Sequence, residues 1–104
     1  MKESSVAEQS MRLDKWLWVA RFFKTRALAT AAISGGKVHV NGDRVKPARR
    51  IATGDSLTVQ KGPYRFSITV SGLSNQRRPA EEAQTLYAES VASVAARHTL
   101  HDER

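Results

Sequence analysis

A chain of 104 residues with no cysteine has neither a disulfide frame nor a thiolate metal site, and it is long enough for one hydrophobic core and too short for two. With 40% apolar and 26% charged residues it is a folding chain rather than a disordered one, and no apolar run approaches the roughly 20 residues of a membrane helix. Its 17 Lys and Arg against 10 acids leave a net charge of +7, which points to a polyanionic partner, nucleic acid before anionic membrane.

The opening MKESSVAEQS is polar and has no apolar signal core, so residues 1–10 read as a flexible polar tail and a cytoplasmic location as the default. Leu13, Trp16, Leu17, Ala20 and Phe23 then fall on one face at helical spacing. Lys24-Thr25 interrupts that pattern. Thr25 is placed to cap a second helix, Arg26 to Ser34, whose buried side would be Leu28, Ala29, Ala32 and Ile33. Gly35-Gly36 supplies the left-handed position that ends it. Val38 and Val40 alternate with His39, and Asn41-Gly42 signals a two-residue type I′ hairpin with a partner strand at 43–45. Ile51 and the turn Thr53-Gly54-Asp55 lead into a strand at 56–60, with Leu57 and Val59 inward. Tyr64, Phe66, Ile68 and Val70 alternate with Arg65, Ser67 and Thr69 in the next strand. Residues 75–78 form a basic loop. Pro79 opens a final helix with Glu81 and Glu82 at its positive end and Ala83, Leu86, Tyr87, Val91 and Val94 on its apolar side. Residues 99–104 are expected to fray. The fold class is α+β: two N-terminal helices packed on a small antiparallel sheet, plus a C-terminal helix, with no internal repeat.

Charge is unevenly placed. Residues 12–50 carry ten Lys/Arg against two Asp, whereas residues 79–104 carry two against five acids. Lys37, Arg44, Lys46, Arg49 and Arg50 sit around the hairpin, and Arg12, Lys15, Lys24 and Arg26 at the two helix starts. A merely solvated basic face is the alternative, but segregation into one half of the chain favours a phosphate-binding surface. Trp18 and Phe22 form a second apolar stripe, where packing beneath the sheet or the final helix is preferred over base stacking. His98 and His101 have a spacing that two metal ligands can share, yet no further ligand accompanies them, so no metal is expected. No nucleophile elbow, P-loop or dinucleotide fingerprint is present, and Asp14, Asp43 and Asp55 have local roles at a helix start and two turns. The chain reads as a non-catalytic binder with no cofactor, no small-molecule substrate and no membrane partner.

The run RLDKWLWVARFFKTRALATAAISGGKVHVNG at 12–42 resembles the S4-type (αL) RNA-binding domain, with R-L-D-K-x-L, K-T-R, G-G-K-V and V-N-G in order. W-L-W at 16–18 and Q-R-R-P-A at 76–80 are similar to the ribosome-associated heat shock protein 15 family. The resemblance implies an S4-like domain over 11–73, with residues 74–98 as a basic loop and C-terminal helix packed on it. It implies binding to ribosomal RNA of the free large ribosomal subunit, with peptidyl-tRNA still held, and a role in recycling such stalled subunits after heat stress. The RNA-facing residues it implies are Arg12, Lys15, Lys24, Thr25, Arg26, Lys37, His39, Asn41, Lys46 and Arg49. Family members also carry a longer, strongly basic C-terminal extension, where this sequence ends in an acidic stretch. A monomer is expected. The alternatives are an S4-like accessory fragment of an RNA-modifying enzyme and a nonspecific DNA-binding protein.

Overall fold

Arg12 is at once the last residue of strand β1 (Ser10–Arg12) and the cap of helix α1 (Leu13–Val19), so strand and helix meet without a linker. The structure is a computed structural model and describes residues 9–102, with side chains as far as Arg97. Most of the tail read at 1–10 therefore lies outside the described residues, while Ser10, read as part of that tail, belongs to β1. The remaining elements are α2 (Arg26–Ser34), β2 (Val38–Val40), β3 (Asp43–Arg44), β4 (Arg50–Ala52), β5 (Ser56–Lys61) and β6 (Tyr64–Val70). After them come α3 (Ala80–Ala83), a 3₁₀ turn Gln84–Leu86, β7 (Tyr87–Glu89) and α4 (Val91–Asp102).

Local chemistry sets the boundaries. The Thr25 hydroxyl oxygen accepts the Leu28 N–H at 3.1 Å and opens α2. Paired bonds close it: Lys37 N–H donates to Ala32 O and Gly36 N–H to Ile33 O, with Gly36 at φ +80°. Asn41 and Gly42, at φ 53° and 88°, make the type I′ turn that joins β2 to β3.

The main sheet runs β3-β2-β5-β6-β7, antiparallel at every junction, and β1 pairs with β4 beside it. Its register puts Val38 opposite Val59, Val40 opposite Leu57, and Leu57 opposite Ile68 on one face. Helices α1 and α2 cover that face with Leu13, Trp16, Leu17, Val19, Ala29 and Ile33. Burying each of the larger side chains contributes about 1.5–3 kcal/mol. The Trp16 indole N–H is satisfied by Gly72 O at 2.9 Å.

Several expectations change. The helix expected from Pro79 onward is broken: one turn of α3, then β7 paired to β6, then α4. The cause is tertiary, because Tyr87 packs its ring 4.8 Å from Phe22 and 6.4 Å from Trp16, and extended backbone at 87–89 completes the sheet edge. Val91, expected on the apolar side, is 86% exposed, and Leu28 on α2 is 51% exposed instead of buried. Strands β1 and β4 carry no signal in the sequence pattern and form by pairing with each other, Met11 opposite Ile51. Phe22 is buried as expected, while Trp18 is only half-buried. No helix among the described residues is long and apolar enough to cross a membrane.

Candidate nucleic-acid interface

The loop between β3 and β4 folds back onto the start of α1. Leu13 N–H donates to Arg49 O at 2.8 Å and Asp14 N–H to Pro47 O at 3.2 Å, so two donors that a helix start leaves free are satisfied by that loop. The docking carries Lys46 and Arg49 to the same end of the molecule as Arg12. α2 packs on α1 and brings Arg26 there as well.

Asp14 joins these pieces. Its side chain is 4% exposed, whereas those of Arg12 and Arg26 are 46% and 45% exposed. Arg12 grips it with two prongs, Nε to Oδ1 at 3.1 Å and Nη2 to Oδ2 at 2.9 Å. Arg26 Nη2 donates to Oδ1 at 3.3 Å, and the Thr30 hydroxyl to Oδ2 at 3.4 Å. Burial works to raise the Asp14 carboxyl pKa. The hydrogen bond from Arg12, the charges of Arg26 and Arg12, and the Lys15 N–H outweigh it and hold that pKa below the ordinary carboxylate value. Arg12 is raised in turn, by its hydrogen bond to Asp14 and by the Asp14 charge. Sequence reading placed Asp14 at a helix start and missed this role; the signal available was an acid lying between Arg12 and Lys15 in the most basic half of the chain.

The expected RNA-facing residues divide into three sets. Arg12, Lys15, Lys24, Arg26, Lys46 and Arg49 lie around the two helix starts, with Lys15 Nζ 3.5 Å from Asn75 Oδ1 and Arg49 Nε bonded to the neighbouring Arg50 O. Lys37 and His39 point to the sheet face away from the helices, where they line a shallow hollow with Thr58, Gln60 and Arg65. Thr25 and Asn41 are bound up in the fold. The Thr25 hydroxyl caps α2, and the Asn41 amide accepts from Ser56 N–H at 2.9 Å and donates to Asp55 at 3.4 Å.

Other cations have internal tasks as well. Arg44 Nη2 donates to Ser34 O at 2.7 Å at the end of α2, Arg50 holds Ser10 by two bonds, and Arg21 Nε reaches Arg78 O at 2.6 Å. Among the expected RNA-facing cations, all of them described residues, Lys24, Lys37 and Lys46 have no side-chain hydrogen bond or ion pair. The surface thus pairs fixed arginines with free lysines. His98 and His101 lie outside the residues whose side chains are described.

The S4 domain family matches residues 11–57. Heat shock protein 15 of Escherichia coli (strain K12) is 48% identical over 100 residues, covering 96% of this chain and 74% of that protein. The RQC P-site tRNA stabilizing factor of Bacillus subtilis (strain 168) is 36% identical over 77 residues, 74% of this chain and 88% of that protein. A trimeric structure of Vibrio cholerae heat shock protein 15 superposes with a TM-score of 0.86 at 45% identity, covering 91% of this chain and 96% of that one.

Proposed function

Because the chain belongs to the heat shock protein 15 family and has its RNA-binding, ribosome-associated role, we propose that its target is ribosomal RNA of the free large subunit that still holds a nascent chain on tRNA. Binding there aids recycling of stalled subunits after heat stress, in the cytoplasm, by occupancy and without a catalytic step. One observation carries the choice of surface: Arg12 and Arg26 share a buried carboxylate while free Lys24 and Lys46 flank them. Such an array meets successive phosphates of a folded RNA, because the arginines are held in place and the lysines follow the backbone. The Bacillus relative, named for stabilising P-site tRNA, supports a target that includes tRNA.

The test is sedimentation of tagged protein through a sucrose gradient of heat-stressed lysate. The protein is expected in the free large-subunit fraction, with peptidyl-tRNA in the same fraction. Migration with intact ribosomes, with DNA, or at the top of the gradient would reject the proposal. A monomer is proposed, although the Vibrio relative is described as trimeric. Sedimentation equilibrium at binding concentrations decides between the two.

A further inference from the structure

We infer that Asp14 is a positioning residue for RNA binding, an inference that rests on the surface proposed above. An acid in the middle of a phosphate-binding surface is a contradiction on charge alone, since it repels the ligand. The geometry removes the contradiction. The carboxylate is 4% exposed and so presents almost nothing to an incoming phosphate. It takes the Nε–Nη2 edge of Arg12 and a single Nη2 hydrogen of Arg26. A guanidinium has five N–H donors, so each arginine keeps its outer edge, the Nη1 side above all, for a ligand.

Two long side chains that would otherwise sample many rotamers are held by one anchor between α1 and α2. Thr30 and the Lys15 N–H hold the anchor itself. Fixing a flexible arginine before binding lowers the ordering cost at the moment of association. The separation between the two guanidinium groups is then set by the fold, and so is the pair of phosphates they meet.

This has an unusual sign. Asp14→Asn raises the net charge from +7 to +8. A surface acting through charge alone then binds RNA more tightly, because one charge that repels the phosphates is gone. Positioning predicts the reverse, a loss of about fivefold, the factor carried by the net contribution of one hydrogen bond. Binding is measured on the full chain with purified large-subunit ribosomal RNA, for wild type, Asp14→Asn, Arg12→Gln with Arg26→Gln, and the triple variant. Circular dichroism establishes that each is folded.

Weaker binding by Asp14→Asn that disappears in the background lacking both arginines supports the inference. Unchanged or tighter binding by Asp14→Asn, with losses in the arginine variants, overturns it and leaves the surface standing. An equal loss in both backgrounds marks a general structural role and also overturns it. Wild-type affinity in the Arg12→Gln with Arg26→Gln variant rejects the surface itself. If Asp14→Asn does not fold, Thr30→Val decides, because it leaves both arginines and the net charge in place and removes a bond that holds the carboxylate. Lost affinity there supports positioning, and retained affinity overturns it.

Discussion

Arg77 lies with its guanidinium 5.5 Å from the centre of the Trp18 ring while its Nε donates to the Trp18 carbonyl at 3.0 Å. Its Nη2 reaches Phe23 O at 3.4 Å, so one side chain from the loop before α3 secures both the end of α1 and the chain leaving it. Arg21, in the left-handed region at φ 67°, answers by donating to Arg78 O. The Q-R-R-P-A stretch is therefore a clasp on the two-helix platform.

Arg77→Ala is expected to destabilise the fold by about 1–3 kcal/mol, through a lost cation–π contact and lost charged hydrogen bonds. For a domain of this size that lowers Tm by roughly 4–8 °C per kcal/mol. A thermal melt within a degree or so of wild type would show that the clasp contributes nothing.

Gly42→Val tests the hairpin by backbone strain alone, because a Cβ added at Gly42 meets nothing within 4 Å. With φ at +88° the substitution is expected to cost about 1–3 kcal/mol. An unchanged denaturation midpoint would contradict the type I′ turn.

What could be read from sequence was local. Thr25, the Gly35-Gly36 pair and Asn41-Gly42 act within a few residues of themselves, and each boundary falls where its chemistry put it. The alternation in 64–70 likewise became β6, because one buried face enforces it. From Pro79 onward Ala83, Leu86, Tyr87, Val91 and Val94 fit helical spacing, and the sequence alone predicts one helix. There the deciding contacts come from Phe22 and Trp16 and from the open edge of β6, which no window of sequence contains. The candidate site was legible as a cluster of cations. How it is organised was not, since Arg12, Asp14 and Arg26 meet only after α1 and α2 pack.

Asp14 also sets an acid limit. Its folded pKa lies below the ordinary carboxylate value of about 3.9. A depressed carboxylate contributes stability that is fully present above the unfolded pKa and is lost as pH falls through the folded one. Wild type is therefore expected to lose Tm below about pH 4 more steeply than Asp14→Asn, which has no such group to titrate. Parallel curves for the two proteins would show that the Arg12 and Arg26 bonds do not stabilise the ionised form.

RNA affinity is expected to fall steeply with salt. If Arg12, Lys24, Arg26, Lys46 and Arg49 each meet a phosphate, log K against log salt has a slope of roughly −3.5 to −4.5, spanning single and double strands. A slope near zero in a titration with ribosomal RNA would remove the electrostatic account.

Fold and binding are expected to separate cleanly at Arg97 and the free lysines. Arg97 lies in the acidic last quarter of the chain, and by composition it is one more surface cation. The structure gives it a different task. It pairs with Glu89, whose side chain is 12% exposed, and its guanidinium sits 4.7 Å from the centre of the Phe66 ring. Ser93, itself buried, bonds to the same carboxylate and to Arg65 O and Ser67 N–H, so this group fastens α4 to β6 and β7. Arg97→Ala leaves a mostly buried carboxylate without its charged partner, and a loss of about 1–3 kcal/mol is expected. Lys24 and Lys46 make no such contacts, and replacing them with Ala changes stability by no more than about 0.5 kcal/mol. RNA affinity, measured well below every Tm, reverses the order. Lys24→Ala with Lys46→Ala loses about fivefold or more per contact, in line with the net contribution of a charged hydrogen bond, while Arg97→Ala stays near wild type. Each single substitution removes one positive charge, so a surface acting only through net charge would respond equally to all three. Equal affinity losses at Lys24, Lys46 and Arg97 would therefore place RNA binding outside the helix-start surface.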